Sequence, residues 1–177
     1  EYVVSTPETN PHQAALFGKV WLRGTRFATE ETIEAGFDQG IFVDLLPYDA
    51  LSSDPATAAK QRRDCRFWQS VSYLSHAKSI VVPHKGALGA IERAACGAAH
   101  LAARGLYSPE KIVSRFNKAA TCGNDPSLAS DDLVVMAYAT YEPYARSMML
   151  PTSTVTFEGC ELPAPADPEA FLRQLYG

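Results

Sequence analysis

The segment Ile41-Phe42-Val43-Asp44-Leu45-Leu46 constrains the fold more than any other part of this chain. It has the length of a β-strand and is apolar on both faces except for Asp44, which is typical of a strand buried within a sheet. Pro47 ends the run, because proline lacks the N–H group that a sheet requires. Side chains alternate along a strand, so Asp44 shares a face with Phe42 and Leu46. We therefore expect a sheet around this strand, with a carboxylate on an apolar face.

Further strands are predicted on both sides of a helical middle. Glycine readily adopts a positive φ, so Arg23-Gly24 predicts a tight connection between two strands. The acidic stretch Glu30–Gln39 predicts no regular element. The predicted strands are Tyr2–Thr6, Leu16–Leu22, Thr25–Thr29, Ile41–Leu46, Leu133–Thr140, Thr154–Phe157 and Cys160–Leu162.

Three predicted helices begin with a capping side chain followed by proline, at Asp54-Pro55, Ser108-Pro109 and Asp167-Pro168. The cap accepts hydrogen bonds from free N–H groups of the first turn, and proline loses nothing at the first helical position. The predicted helices run from Pro55 to near Ser79, from Lys85 to Ala103, from Pro109 to Ala120 and from Pro168 to Tyr176. The second is expected to bury its apolar face, formed by Leu88, Ile91, Ala95, Ala98 and Ala102. The last is expected to bury Phe171 and Leu175. The pattern indicates an α/β (α+β) domain over residues 1–177, with a mixed sheet and a helical block inserted between strand groups.

Composition excludes several classes of protein. The net charge of -4, without a long basic cluster, argues against a nucleic-acid partner. No apolar run approaches the roughly 20 residues of a membrane span. The cysteines are too far apart for the close pairs of a zinc site, and most sit in helical or alanine-rich contexts. Two disulfides remain arithmetically possible, but we expect reduced thiols in a cytoplasmic protein; the cysteines are Cys65, Cys96, Cys122 and Cys160.

Asp44 is the strongest candidate for chemistry. A carboxylate on a buried strand must meet a metal ion, a Lys or Arg side chain, or backbone donors, because an unpaired buried charge is costly. Carboxylates on hydrophobic strands hold Mg²⁺ in many phosphate-handling sites. A buried ion pair or a strand-end cap is the structural alternative. Asp49 follows at the strand's carboxyl end, where catalytic groups are common, although it also suits a turn.

Several segments, in the right order along the chain, resemble those of a known family. The segment Gly40–Asp49 resembles the LicD hallmark in which Gly-Ile-Phe is followed by Asp, then by Phe-Pro and a second Asp; Leu46 stands where the family usually has Phe. The segments Leu16–Val20 and Gly24–Phe27 are similar to the family's Phe-x-Lys segment and the Thr-x-Phe that follows it. The terminal block is matched by Phe157–Gly159, Leu162–Pro165 and Leu172–Gly177. The chain thus resembles the C-terminal portion of a LicD-family phosphotransferase, related to the fukutin domain.

The resemblance implies a nucleotidyltransferase-like fold and a metal-dependent transfer reaction. Phosphocholine, or a similar phosphorylated group, would move from a nucleotide-diphospho donor such as CDP-choline to a glycan acceptor of lipopolysaccharide, teichoic acid or capsule. Asp44 and Asp49 would be catalytic, with Asp44 also holding Mg²⁺ (or Mn²⁺). Lys19, Thr25 and His12 would bind substrate, Lys19 as a point charge for phosphate oxygens. The structural alternatives are a solvated strand lysine, a strand-start threonine and a surface histidine.

One departure from the family pattern limits the expectation. The family's Asp-x-Asp metal motif lies before the point at which this sequence begins, so we expect a domain that lacks its N-terminal part and is catalytically incomplete. Two other classes stay open. One is a non-catalytic LicD-like module that binds a nucleotide or glycan. The other is a hydrolase that uses Asp44 and Asp49 as a carboxylate pair, which would require the two groups to face each other across roughly 5–9.5 Å.

Overall fold

The computed structural model of the protein describes residues 1–77 and 84–177. Its helices and strands confirm the α+β class. Over the described residues the strands lie in three small antiparallel sheets rather than in the one mixed sheet that we expected. Most paired strands follow one another in the sequence, and a short connection between successive strands favours antiparallel pairing.

The first sheet carries the segment that dominates the sequence. It contains β1 (Tyr2–Ser5), β2 (Gly18–Leu22) and β3 (Phe42–Leu45), with β2 in the centre and both pairs antiparallel. Strand β3 confirms a strand within the segment predicted at 41–46. The prediction that it is buried within a sheet is wrong, because β3 lies at the edge of this sheet and its Val43 and Leu45 are exposed. The register places Lys19 directly opposite Asp44. Directly opposite side chains share one face of a sheet, so these two charged groups lie together.

The connection between β2 and β3 corrects two predictions. The described residues Thr25–Thr29, predicted as a strand, carry no regular secondary structure, and helix α1 (Glu30–Ala35) lies within the stretch predicted to be irregular. Thr29 and Thr32 form a capping box, and Gly36 ends the helix with a φ of 70°. Threonine favours strands on average, but here its hydroxyls satisfy the N–H groups of a helix start.

Three helices follow as a block. They are α2 (Pro55–His76), α3 (Gly86–Leu106) and α4 (Pro109–Ala120). The predicted caps on α2 and α4 are confirmed, since Asp54 and Ser108 each accept a hydrogen bond from the N–H three residues further on. The end predicted for α2 near residue 79 lies outside the described residues.

A second sheet packs on this block. It contains β4 (Asp49–Ser52), β5 (Ala129–Val134) and β6 (Tyr144–Ala145), with β5 in the centre. The fully buried Gln61 of α2 joins sheet and helices, because its amide nitrogen donates to Ala50 O at 3.0 Å and to Ala120 O at 2.8 Å. The main core lies between α2, α4 and this sheet and includes Leu51, Cys65, Val71, Ile112, Val113, Phe116, Val134 and Met136.

Two further predictions are wrong in detail. The apolar face of α3 predicted to be buried is exposed, and the helix instead buries Gly89, His100 and Ala103. The strand predicted at 133–140 ends at Val134, and Met136–Tyr138 forms a 3-10 turn. The periodicity of apolar residues predicts α3 as a helix. It does not specify which face of α3 packs against α2, because small residues lie on more than one face of the helix.

The C-terminal part contains α5 (Arg146–Met149), β7 (Ser153–Phe157), β8 (Cys160–Ala164) and α6 (Pro168–Tyr176). The predicted hairpin is confirmed as the third sheet, with Gly159 at a φ of 78° in its turn. Helix α6 is capped by Asp167 as predicted, but none of its residues is fully buried. All four cysteines are free thiols. Among the described residues, no helix combines the length and apolarity that a membrane crossing requires.

Candidate functional site

A cavity of about 780 Å³ opens beside the inner face of the first sheet. Its size falls within the usual range for small-molecule sites. Strands β2 and β3, helix α1 and the end of α2 all contribute to its wall. We call it the β2–β3 cavity. Six aromatic rings line it: Phe17, Phe27, Phe37, Phe42, Tyr73 and Tyr138.

Lys19 and Asp44 form an ion pair in this cavity. The Lys19 Nζ donates to Asp44 Oδ1 at 2.8 Å. The lysine is only 7% exposed, whereas the aspartate side chain is 31% exposed. The same ammonium lies 3.6 Å from the ring centroid of Phe42 and 5.3 Å from that of Phe17. A charge-assisted hydrogen bond and two aromatic faces thus hold a buried cation at one position.

Further polar side chains line the β2–β3 cavity, among them Glu31, His12, His76 and Gln39. The Nδ1 of His12 donates to Ala35 O at 2.8 Å, which fixes the ring against α1. His76 is fixed by contacts of its two ring nitrogens with backbone oxygens at 2.7 and 2.9 Å. Gln39 is 4% exposed, and its Oε1 has no hydrogen-bond partner among the described residues. The cavity therefore combines apolar walls with a few fixed polar groups.

The two tyrosines of the cavity are weak acids. Burial raises the pKa of Tyr73 above its ordinary value, and nearby Tyr138, Asp44 and Glu31 raise it further. Burial also raises the pKa of Tyr138, with contributions from Asp44 and Tyr141. Both phenols are therefore protonated at neutral pH. They can donate hydrogen bonds to a ligand but do not serve as bases there.

Thr25, predicted to bind substrate, is absent from the described lining of the cavity. Its hydroxyl donates to Leu22 O at 2.7 Å and accepts from Ile41 N at 2.9 Å. These bonds join the end of β2 to the start of β3. Gly40 is required beside them, because a Cβ there would come within 2.5 Å of both Thr25 Oγ1 and Leu22 O. Thr25 and Gly40 therefore shape the strand pair that carries Lys19 and Asp44.

Asp49 is also absent from the described lining of the cavity. It begins β4, is 9% exposed and accepts a hydrogen bond from Asn124 Nδ2 at 2.8 Å. Burial raises the pKa of its carboxyl group, and the bond from Asn124 opposes that effect. Asp44 and Asp49 thus lie in different sheets and do not share this cavity. The described lining of the cavity therefore gives no support to a hydrolase that uses these two carboxylates as a pair.

Replacing Asp49 with asparagine is expected to stabilise the fold at neutral pH. A carboxyl group whose pKa is raised on folding contributes stability below its unfolded-state pKa, and this contribution is lost as the pH rises through the folded-state value. Asp49→Asn should therefore raise the free energy of unfolding at pH 7 by on the order of 1 kcal/mol, with a smaller gain toward pH 4. Urea denaturation between pH 4 and 8 measures this, and Asp131→Asn, at an exposed position of β5, is the neutral control. A loss of stability at pH 7 would contradict the prediction.

The cavity alone does not fit the Mg²⁺ or Mn²⁺ that the resemblance implies. Such ions require several oxygen ligands in near-octahedral geometry. Among the described residues, no group of three or more His, Cys, Asp or Glu side chains is placed to hold a metal ion. The cavity offers the carboxylates of Asp44 and Glu31, and the first already binds the ammonium of Lys19. We therefore derive no step through a metal ion from these residues.

Comparisons with protein-family models, with curated proteins and with solved structures found no match to this chain. The resemblance to the LicD family accordingly rests on the motifs in the sequence. Two of those motif segments contain Lys19 and Asp44, which β2 and β3 bring together.

Several residues of the cavity were not candidates in the sequence. Glu31 was overlooked because α1 was not predicted, although the Thr29–Thr32 capping box and Gly36 were visible signals for that helix. Tyr138 lies in the segment Leu133–Thr140 that predicts a strand, where no local pattern marks it as a site residue. His76 lacked metal-ligand spacing, and its position beside Pro11 O depends on how the β1–β2 loop meets the end of α2. Contacts of this kind, between segments far apart in the chain, leave no local pattern.

Proposed function

We propose that this chain is part of a LicD-type transferase. The enzyme would move phosphocholine, or a similar phosphorylated group, from a nucleotide-diphospho donor such as CDP-choline to a cell-surface glycan. The observation that carries the proposal is the Lys19–Asp44 ion pair within an aromatic cavity. Both members of the pair lie in segments that resemble the family. A cytoplasmic location belongs to the same proposal.

Lys19 is suited to the phosphate end of such a group. Its ammonium is a compact point charge that can share its three N–H donors between Asp44 and a phosphate oxygen. Asp44 and the ring of Phe42 hold it within a narrow range of positions. The charge is therefore already in place before a ligand arrives, which lowers the entropic cost of binding.

The aromatic walls are suited to the choline end. A quaternary ammonium is attracted to the faces of aromatic rings and to nearby carboxylates, and it needs no hydrogen-bond acceptor. The β2–β3 cavity supplies both, from rings such as Phe27 and Tyr73 and from the carboxylates of Asp44 and Glu31. Phosphocholine carries one positive and at least one negative charge, so it matches a cavity that holds carboxylates and a lysine together.

The proposed transfer is a displacement at phosphorus. An oxygen of an acceptor hydroxyl forms a bond to the phosphorus that bears choline, the bond from that phosphorus to the bridging oxygen breaks, and CMP leaves. The hydroxyl proton passes to a carboxylate, for which Asp44 is the proposed acceptor.

Isothermal titration of the 177-residue chain with phosphocholine tests this site. Lys19→Met keeps the stem of the side chain but removes the charge, so it should raise the dissociation constant at least about tenfold. Lys111→Met is the matched control, because Lys111 also lies over an aromatic ring, that of Tyr107, but on the exposed surface of α4. Equal affinities for all three proteins, or no binding by the unsubstituted chain, would contradict the proposed site.

A further inference from the structure

The face of the first sheet that points away from the β2–β3 cavity is apolar apart from the hydroxyl group of Tyr2. Strand register places six side chains on it, and Ile41 extends it beyond the end of β3. We call this surface the outer face. Tyr2, Val4, Ile41, Val43 and Leu45 are each between 47% and 68% exposed. The six in-register side chains are Tyr2, Val4, Val20, Leu22, Val43 and Leu45.

The solvent-accessible surface of the whole chain is larger than expected for a folded monomer of this mass. A folded 19.2 kDa chain is expected to expose about 8,400 Å². This chain exposes 10,988 Å². The outer face contributes on the order of 600 Å² of contiguous apolar surface, at the upper limit of the largest patch on a typical monomer. The outer face therefore has the properties of an interface.

The chemistry of the outer face restricts what can cover it. None of the side chains that the described strands β1–β3 place there carries a charge or a strong hydrogen-bonding group, apart from the hydroxyl of Tyr2. Strand β3 has apolar residues on both faces, a pattern typical of strands covered on both sides. An occupant must accordingly be apolar and flat enough to meet a three-stranded sheet.

We propose that the outer face packs against the same face of a second copy of this chain. A two-fold dimer uses one patch twice, so the patch must be complementary to itself, and an uncharged apolar sheet face meets that condition without repulsion. Two sheets pack face to face about 10 Å apart with their strands nearly aligned. Burying about 600 Å² on each copy gives roughly 1,200 Å² in total, which reaches the range of stable interfaces. The β2–β3 cavity lies on the opposite face and stays open.

Sedimentation velocity over a concentration series tests the dimer. The chain should sediment at twice its 19.2 kDa mass at micromolar concentration. Val43→Asp places a charge on the outer face, directly opposite Val20 of the central strand, and should raise the dimer dissociation constant at least about a hundredfold. Val4→Asp on β1 carries the same expectation and replaces the first variant if circular dichroism shows that variant to be unfolded. Leu101→Asp, on the exposed side of α3, is the matched control and should leave the dimer intact.

Three outcomes would overturn the proposal. The first is an unsubstituted chain that sediments as a monomer at every concentration. The second is a dimer that persists unchanged in both outer-face variants, which would place its interface elsewhere. The third is a monomer that floats with vesicles of phosphatidylcholine and phosphatidylglycerol and no longer does so with Val43→Asp, which would assign the outer face to lipid.

Discussion

Asp44→Asn is expected to lower the rate of phosphocholine transfer at least about a hundredfold, the usual loss when one preorganised polar group of an active site is removed. The substitution keeps the size of the side chain but removes the charge that positions Lys19 at 2.8 Å. It also removes the proposed acceptor for the hydroxyl proton. The measurement is the initial rate with CDP-choline, Mg²⁺ and a glycan acceptor, using the protein encoded by the longest reading frame that contains this chain.

The same substitution is expected to cost stability, because it leaves the buried ammonium of Lys19 without its counter-ion. Breaking a fully buried pair costs about 3–5 kcal/mol; Asp44 is partly exposed, so about 1–3 kcal/mol is expected here. The double variant Lys19→Met with Asp44→Asn should lose less than the sum of the two single variants, since no unpaired charge remains. Strict additivity, or full activity of Asp44→Asn at saturating Mg²⁺, would contradict the role of the pair.

Gly123→Ala is expected to destabilise the fold by about 3 kcal/mol or more, through steric strain in the core. Gly123 ends a 3-10 turn after α4 that packs against β4. A Cβ at this position would lie 2.2 Å from Ala50 O and 2.7 Å from the backbone of Leu51 and Ser52. These are backbone atoms of a sheet, so they cannot move away independently. Urea denaturation measures the loss.

Gly97→Ala is the control for this substitution. Gly97 lies inside α3, and a Cβ there meets nothing within 4 Å. Alanine should therefore stabilise the helix by roughly 0.5–1 kcal/mol. Similar effects of the two substitutions would show that the close approach of Gly123 to β4 is not what makes glycine necessary there.

Local signals predicted local structure well. The Asp54-Pro55, Ser108-Pro109 and Asp167-Pro168 pairs predicted three helix starts, because a cap and a proline act within one turn. The strand containing Asp44 was predicted from its length and apolarity. The division into three sheets was not predicted, since strand pairing depends on contacts between distant segments, such as β4 with β5.

The candidate site was predicted in part. A carboxylate on an apolar strand needs a metal ion, a Lys or Arg side chain or backbone donors beside it, and in the structure Asp44 has a lysine. The sequence does not decide among these three partners. Lys19 was a separate candidate for phosphate binding, and the sequence did not predict that it lies directly opposite Asp44 in the sheet. Thr25 and Asp49 were candidates because they lie in segments that resemble the family. In the structure, Thr25 forms hydrogen bonds with Leu22 and Ile41. Asp49 accepts a hydrogen bond from Asn124.

The most direct test of the proposed function is ³¹P NMR of the longest reading frame that contains this chain, incubated with CDP-choline, Mg²⁺ and isolated glycan acceptors. The proposal predicts that the diphosphate signals decline while those of CMP and a glycan-bound phosphodiester appear together, and that Asp44→Asn suppresses both products. Unchanged CDP-choline, with no turnover of other cytidine, uridine or adenosine diphospho-donors, would contradict it. Binding of phosphocholine without any such turnover would instead favour a non-catalytic binding module.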